Sequence, residues 1–187
     1  MTMVGSWELS PLPIPLRFFR FAHAYLDAAI VLNTRLLDGT DDQTYPRACV
    51  PLYLAQHAIE LFLKGAILSR APANRLQHGV EQLGIRYRDL YCENSFRWDI
   101  PFRTAEPVGA EPGKIEELRK LSPPADQQFR YPTDSKKEPW MGISAYLAAE
   151  FHLTLKQVES DFDRLEPLIL AANPALNTDA GHGTRAG

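Results

Sequence analysis

Gln56, His57, Glu60 and Lys64 put an amide, an imidazole, a carboxylate and an ammonium within nine residues of one apolar-rich segment. Gln56, Glu60 and Lys64 step by four, so on an α-helix they form one narrow stripe, with His57 beside it. As chemistry, the stripe offers an acid, a base and a cation within two turns. As structure, it is an i,i+4 Glu–Lys pair on the one wet face of an otherwise apolar helix, a frequent helix-surface feature. The structural reading comes first. Burial of Glu60 and Lys64 would turn the pair into an inter-helix network that fixes helix register. Arg130 and Tyr131 are the second chemical feature, an Arg beside an aromatic in a turn closed by Pro132. A guanidinium so placed can bind a phosphate or stack on a base, and it can equally pin the loop through backbone carbonyls. Together these residues are the ligand-binding candidates.

Other chemistries find no support. The chain has no G-x-x-x-x-G-K-[ST] or G-x-G-x-x-G phosphate loop, no H-E-x-x-H and no clustered Cys/His ligands. Its two cysteines, Cys49 and Cys92, are too far apart for a C-x-x-C pair and read as two buried, reduced thiols. No metal and no cofactor are therefore expected. The formal net charge of −3 gives no overall field towards phosphate. No apolar run reaches the ~18 residues needed to cross a bilayer, and residues 1–10 lack a secretion-signal pattern. The expectation is a cytoplasmic protein with no membrane partner.

The elements that must position these side chains are helical. Phe18, Ala22, Tyr25, Ala29, Leu32 and Leu36 recur at steps of four and three, and Asp38-Gly39 supplies a C-terminal stop. From Cys49 to Arg70 apolar residues cover nearly every direction around the axis, which requires other helices on several sides. Pro51 marks the first turn of this helix, or lies inside it if the helix begins near Pro46. A third helix starts at His78-Gly79 and carries Val80, Leu83, Tyr87 and Leu90. A brief helix spans Pro112 to Leu121. The last runs from about Ser144 to Ala172 on Leu147, Phe151, Leu155, Val158, Phe162, Leu165 and Ile169. Residues 95–110 and 125–142 are long connections with prolines and no helical period. The fold class is all-α, a helical bundle of four to five helices with two long Pro-rich connecting loops. Residues 1–14 read as an extended arm whose Trp7 and Leu9 can pack on the domain. Residues 15–172 form the helical domain, and residues 173–187 form a small, polar tail expected to be disordered.

The segment Gln56-His57-Ala58-Ile59-Glu60-Leu61-Phe62-Leu63-Lys64-Gly65 resembles the A-x-E-L-x-L-K-A signature on the second helix of HEPN-domain proteins. His78-Gly79-Val80-Glu81-Gln82-Leu83 is similar to the G-H-x-L-x-x-L segment opening that family's next helix. Phe129-Arg130-Tyr131-Pro132 is similar to an R-Y-P turn before the last long helix. The resemblance covers roughly residues 16–170. It departs from the family in the His78-Gly79 order, in Gly65 where an Ala is usual, and in long insertions around the short helix. The resemblance implies a bundle of four or five helices, commonly a homodimer. Members include metal-independent endoribonucleases, often toxins paired with a nucleotidyltransferase antitoxin, and others that are inactive binding or scaffolding versions.

Catalytic members carry R-x(4–6)-H near the last long helix, with the Arg on the scissile phosphate and the His moving a proton. The last helix here has His152 but no Arg among residues 144–151. One match lies elsewhere: Arg17-Phe18-Phe19-Arg20-Phe21-Ala22-His23 on the first helix. A six-residue step sets Arg17 and His23 about 120° apart around that helix. Their plainer reading is a solvated Arg and a core-flanking His paired with Asp27 four residues on. The resemblance thus implies a binding or accessory module, dimeric, acting on RNA, a nucleotide or a partner protein in a toxin–antitoxin-like defence or stress system. The alternatives are an endoribonuclease using Arg17 and His23, and a purely structural protein–protein interaction domain.

Overall fold

A computed structural model describes residues 5–102, 127, 129–133, 137 and 146–173. The described residues form an all-α bundle without a β-strand. Its helices are α1 (Ile14–Leu37), α2 (Tyr45–Arg70), α3 (Val80–Leu90) and α4 (Ala148–Ala171), with 3-10 turns at Ser6–Leu9 and Asn94–Phe96. None of these helices is long and apolar enough to cross a membrane. The expected helix at residues 112–121 and the tail at 174–187 lie outside the described residues, as does most of the two long connections.

Helix α2 is central and packs against α1, α3 and α4. Ala55, Ala58, Ile59, Phe62, Leu63 and Ala66 are fully buried, so the helix is apolar on several sides because it has neighbours on several sides. It begins at Tyr45, with Pro46 in the first turn, and Pro51 therefore sits inside it. Pro46 gives up an N–H that no helical carbonyl would receive. Pro51 leaves the Arg47 carbonyl without its helical donor.

Helix α1 buries Phe19, Ala22, Leu26, Ala29, Asn33 and Leu36. Ala22, Ala29 and Leu36 of the expected stripe are buried, but Phe18, Tyr25 and Leu32 are only half-buried and give way to Phe19, Leu26 and Asn33, so the inward face is turned by half a residue step, roughly 50°. The sequence places apolar residues at both 18 and 19 and at both 25 and 26, and periodicity cannot choose between them. Contact with α2 chooses. A Cβ added at Gly65 would lie 2.8 Å from Phe19 Cε1 and 3.1 Å from the Pro15 carbonyl oxygen. Gly65 is therefore a point of close approach between α1 and α2, where Ala would press on a buried ring. Helix α1 ends as expected, with Gly39 at φ +68° just past it.

Asn33 is the polar exception in the α1 stripe. Its Nδ2 donates to the Ala148 carbonyl at 3.1 Å, and its Oδ1 accepts from the Tyr146 hydroxyl. That amide ties α1 to the start of α4. Helix α4 buries Phe151, Leu155, Val158, Phe162, Leu165 and Ile169 as its three-four repeat requires, but Leu147 at its start is exposed.

After α3 the chain is irregular yet packed. Phe96, Trp98 and Ile100 are buried while Arg97 and Asp99 between them are exposed, the alternation of an extended segment with one face on the core. Tyr87 donates its hydroxyl to the Phe96 carbonyl at 2.8 Å, and Arg164 of α4 donates to the carbonyls of Ser95 and Arg97. Two details correct the sequence reading. The arm folds a 3-10 turn at Ser6–Leu9 and leaves Trp7 exposed, with Leu9 half-buried. Cys49 is buried, but Cys92 is exposed just beyond the end of α3.

Candidate functional site

The polar stripe of α2 is not a wet face. Gln56, Glu60 and Lys64 are all buried. Lys64 Nζ donates to Glu60 Oε1 at 2.5 Å, and both side chains are 9% exposed. His78, in the loop before α3, brings Nδ1 to the same oxygen at 3.2 Å while its ring stays 89% exposed. The surface pair expected from spacing is thus a buried network that ties the α2–α3 loop to α2. Tertiary packing makes the difference, because an i,i+4 step is identical on a wet and a covered face. Charges removed from water at several kcal/mol each persist only when paired, and Glu60 is paired twice. Gln56 Oε1 is buried with no hydrogen-bond partner among the described residues.

One turn earlier, His57 sits in an aromatic frame. The Tyr25 ring of α1 meets it edge-on at 4.7 Å, and Tyr53 stacks parallel to it at 5.8 Å. Burial pushes the His57 pKa below the ordinary imidazole value; Glu60 opposes this, while Lys64, Arg130 and His78 reinforce it. A neutral ring results at neutral pH. Arg130 caps the frame, its guanidinium carbon 5.4 Å from the Tyr53 ring centre and 5.3 Å from that of Tyr131. The turn holding it is set by the Arg130 and Tyr131 N–H groups, which both donate to the Gln127 carbonyl. Arg130 and Tyr131 are exposed.

All five ligand-binding candidates therefore fall in one neighbourhood: Glu60 and Lys64 beneath, His57 beside them, Arg130 and Tyr131 outside. Tyr53 joins the halves, and sequence reasoning missed it. A signal was present, since Tyr53 precedes His57 by four. Tyr25, read as core, faces the same ring from α1. The arrangement offers a guanidinium over tyrosine faces beside an uncharged imidazole, which suits a planar or anionic group better than a cation.

Arg17 and His23 enter different interactions. Arg17 Nε donates to the Leu12 carbonyl at 2.8 Å and a terminal nitrogen to that of Ser10 at 3.2 Å, holding the arm against α1. His23 Nε2 pairs with Glu166 Oε2 of α4 at 2.7 Å, and its ring stands edge-on to Phe162. Its partner is thus Glu166 rather than Asp27, because α4 brings a carboxylate into direct reach while Asp27 acts only at a distance. His152 Nδ1, the other imidazole atom of interest, is buried without a partner among the described residues.

The His23–Glu166 pair predicts a pH dependence. The hydrogen bond to Glu166 raises the His23 pKa above its ordinary 6.5; burial opposes this, and the charges of Glu166, Asp163 and Asp27 add to the rise. A raised folded-state pKa means that the stabilisation is fully present below 6.5 and is lost as pH climbs through the folded value. The melting-temperature advantage of wild type over His23→Gln should therefore be largest in mild acid and shrink towards alkaline pH. His57 shifts the other way, but it is common to both proteins and cancels in the difference. A gap that does not change with pH would refute the assignment.

No family model, no curated protein and no solved structure matches this chain.

Proposed function

We propose that this chain is a HEPN-like binding or accessory module that holds a base or nucleotide of RNA on the shelf formed by Tyr53, Arg130 and Tyr131. The observation that carries the reading is Arg130 set between two tyrosine rings, exposed, beside the neutral His57. Bases stack on tyrosine and guanidinium planes without regard to sequence, and the guanidinium adds attraction for phosphate. The buried Glu60–Lys64 pair, with the exposed His78 on the same carboxylate, lies within charge range of His57 at the side of that shelf. Arg17 and His23 lend no support to the endoribonuclease alternative, since backbone carbonyls hold the one and Glu166 holds the other.

A homodimer belongs to the same proposal. Ile14, Phe21, Ala24, Ala28 and Val31 are exposed and follow one side of α1 at three-, four- and seven-residue steps, an apolar stripe with no partner helix among the described residues. The nucleotidyltransferase-type partner and the toxin–antitoxin setting follow from the family resemblance alone.

The test is binding of a short labelled single-stranded RNA, and of nucleoside monophosphates, to wild type and Arg130→Ala. A stacked base is worth ~1–3 kcal/mol, so the variant should bind about fivefold or more weakly. Equal affinity for the two proteins, or none for wild type, rejects the shelf. Cleavage of the RNA by both would move the reading to a nuclease. A solution mass of one 21.1 kDa chain at micromolar concentration would remove the dimer.

A further inference from the structure

A polar recess that shares no lining residue with the shelf lies along the loop between α2 and α3. It has a volume of about 220 Å³. Its apolar floor is Ile67 of α2 and Leu83 of α3, both almost fully buried, with Leu76 of the loop packed against the core. Seating Leu76 inward leaves its neighbours Arg75 and Gln77 on the rim. Gln82 and Arg86 complete the rim from α3, where their four-residue spacing puts them on one face. Asn74 closes the loop side, its backbone N–H bonded to the Ala71 carbonyl at 3.0 Å.

The charge of this recess is unusual for a chain of net charge −3. Among the described residues, its ionic lining groups are two guanidiniums, Arg75 and Arg86, with no carboxylate beside them. Four arginines elsewhere are ion-paired, Arg35 and Arg47 with Asp41, Arg70 with Glu93 and Arg164 with Asp161. Arg20, Arg88 and Arg97 form no ion pair with a described residue, but the recess that Arg88 and Arg97 line is also lined by Glu93 and Asp99. Arg75 and Arg86 form no ion pair and no side-chain hydrogen bond with any described residue. Two unpaired cations at one cavity repel each other, and a bound anion relieves that repulsion. One arginine fork matches the two oxygens of a carboxylate, whereas two forks approaching from different elements match a tetrahedral group with three or more acceptor oxygens. Asn74, Gln77 and Gln82 add uncharged donors.

We propose that the Arg75–Arg86 recess is a phosphate-binding site that takes a tetrahedral phosphate group, either inorganic phosphate or the phosphate monoester of a nucleotide. The site is separate from the Arg130 shelf and stands or falls independently of it. Its small volume, under the ~300–1,000 Å³ of ordinary ligand pockets, fits one charged group with part of its carrier rather than a whole large ligand.

The experiment is a titration of the full chain followed by amide chemical shifts. The probes are inorganic phosphate, a nucleoside 5′-monophosphate, the matching nucleoside and acetate at equal ionic strength. Saturable shifts at residues 74–86 are expected with the first two probes at millimolar concentration and with neither control. Arg75→Gln and Arg86→Gln should each weaken binding about tenfold or more, since a charge-assisted hydrogen bond contributes ~1.5–3 kcal/mol. Both side chains are exposed, so their melting temperatures should match wild type. Arg88→Gln, which does not line the recess, should leave the affinity unchanged. Tighter binding of the monophosphate than of phosphate identifies a nucleotide as the source, and equal binding identifies the free anion. No saturation with either phosphate probe, an acetate response equal to that of phosphate, or an affinity indifferent to both arginine variants overturns the proposal.

Discussion

Lys64→Met should lower the stability of this protein by about 3–5 kcal/mol, the usual consequence of removing one member of a buried ion pair. Methionine fills much of the same volume, so the loss is electrostatic rather than a cavity. Glu60 would remain 9% exposed with its carboxylate answered only by His78 at 3.2 Å, on a ring that is itself almost fully in water. The deficit should be read from urea unfolding with the m-value unchanged. The companion variant Glu60→Leu/Lys64→Met removes both charges together, and replacement of a buried pair by apolar groups of similar size is often neutral. The double variant should therefore recover much of what the single variant loses. A deficit below ~1 kcal/mol for Lys64→Met would mean that the pair behaves as an exposed one.

Phe62→Ala should lose a comparable ~3–5 kcal/mol by a different route, through lost burial and the cavity left behind. Phe62 is fully buried at the point where α2 meets three other parts of the chain. It stacks on Phe162 of α4 with ring centres 4.1 Å apart, tilts against Phe19 of α1 at 5.0 Å, and meets Trp98 of the segment after α3 edge-on at 5.7 Å. Removing that ring leaves Phe162 and Trp98 in contact at 5.9 Å but without their common neighbour. The near-ultraviolet circular dichroism of Trp98 should weaken in the folded variant, and the denaturation midpoint should fall. A smaller change in stability, under ~1 kcal/mol, would show that the cluster closes over the gap, which a close-packed aromatic group resists.

Helices α1, α2 and α4 were legible in the sequence because each presents its burial pattern along a single stretch of chain. The α4 repeat from Phe151 to Ile169 is buried as its spacing requires, since a three-four step has only one inward face. Gly39 closes α1 for a reason equally local, its tolerance of positive φ. On α1 the spacing placed Ala22, Ala29 and Leu36 inward but not their companions, because adjacent apolar residues at 18 and 19 and at 25 and 26 left two choices and the approach of Phe19 to Gly65 favoured the second. It also missed the segment Phe96-Arg97-Trp98-Asp99-Ile100, whose short alternation is visible only once the core it lies on is known.

For the candidate site, residue types and spacing were enough to nominate His57, Glu60, Lys64, Arg130 and Tyr131, and to make the chain an all-α bundle around α2. Their placement in one neighbourhood depended on contacts between residues far apart in sequence: Tyr53 under Arg130, Tyr25 against His57, and His78 on the oxygen that already holds Lys64. The sequence by itself determined which side chains share a helix and at what angular separation, because helical geometry is a property of neighbours along the chain. Only the tertiary structure decided whether the Glu60–Lys64 stripe faced water or protein, and which carboxylate His23 would find. Burial and partner choice are set by what other elements bring close, and the spacing of residues along one helix carries no record of that.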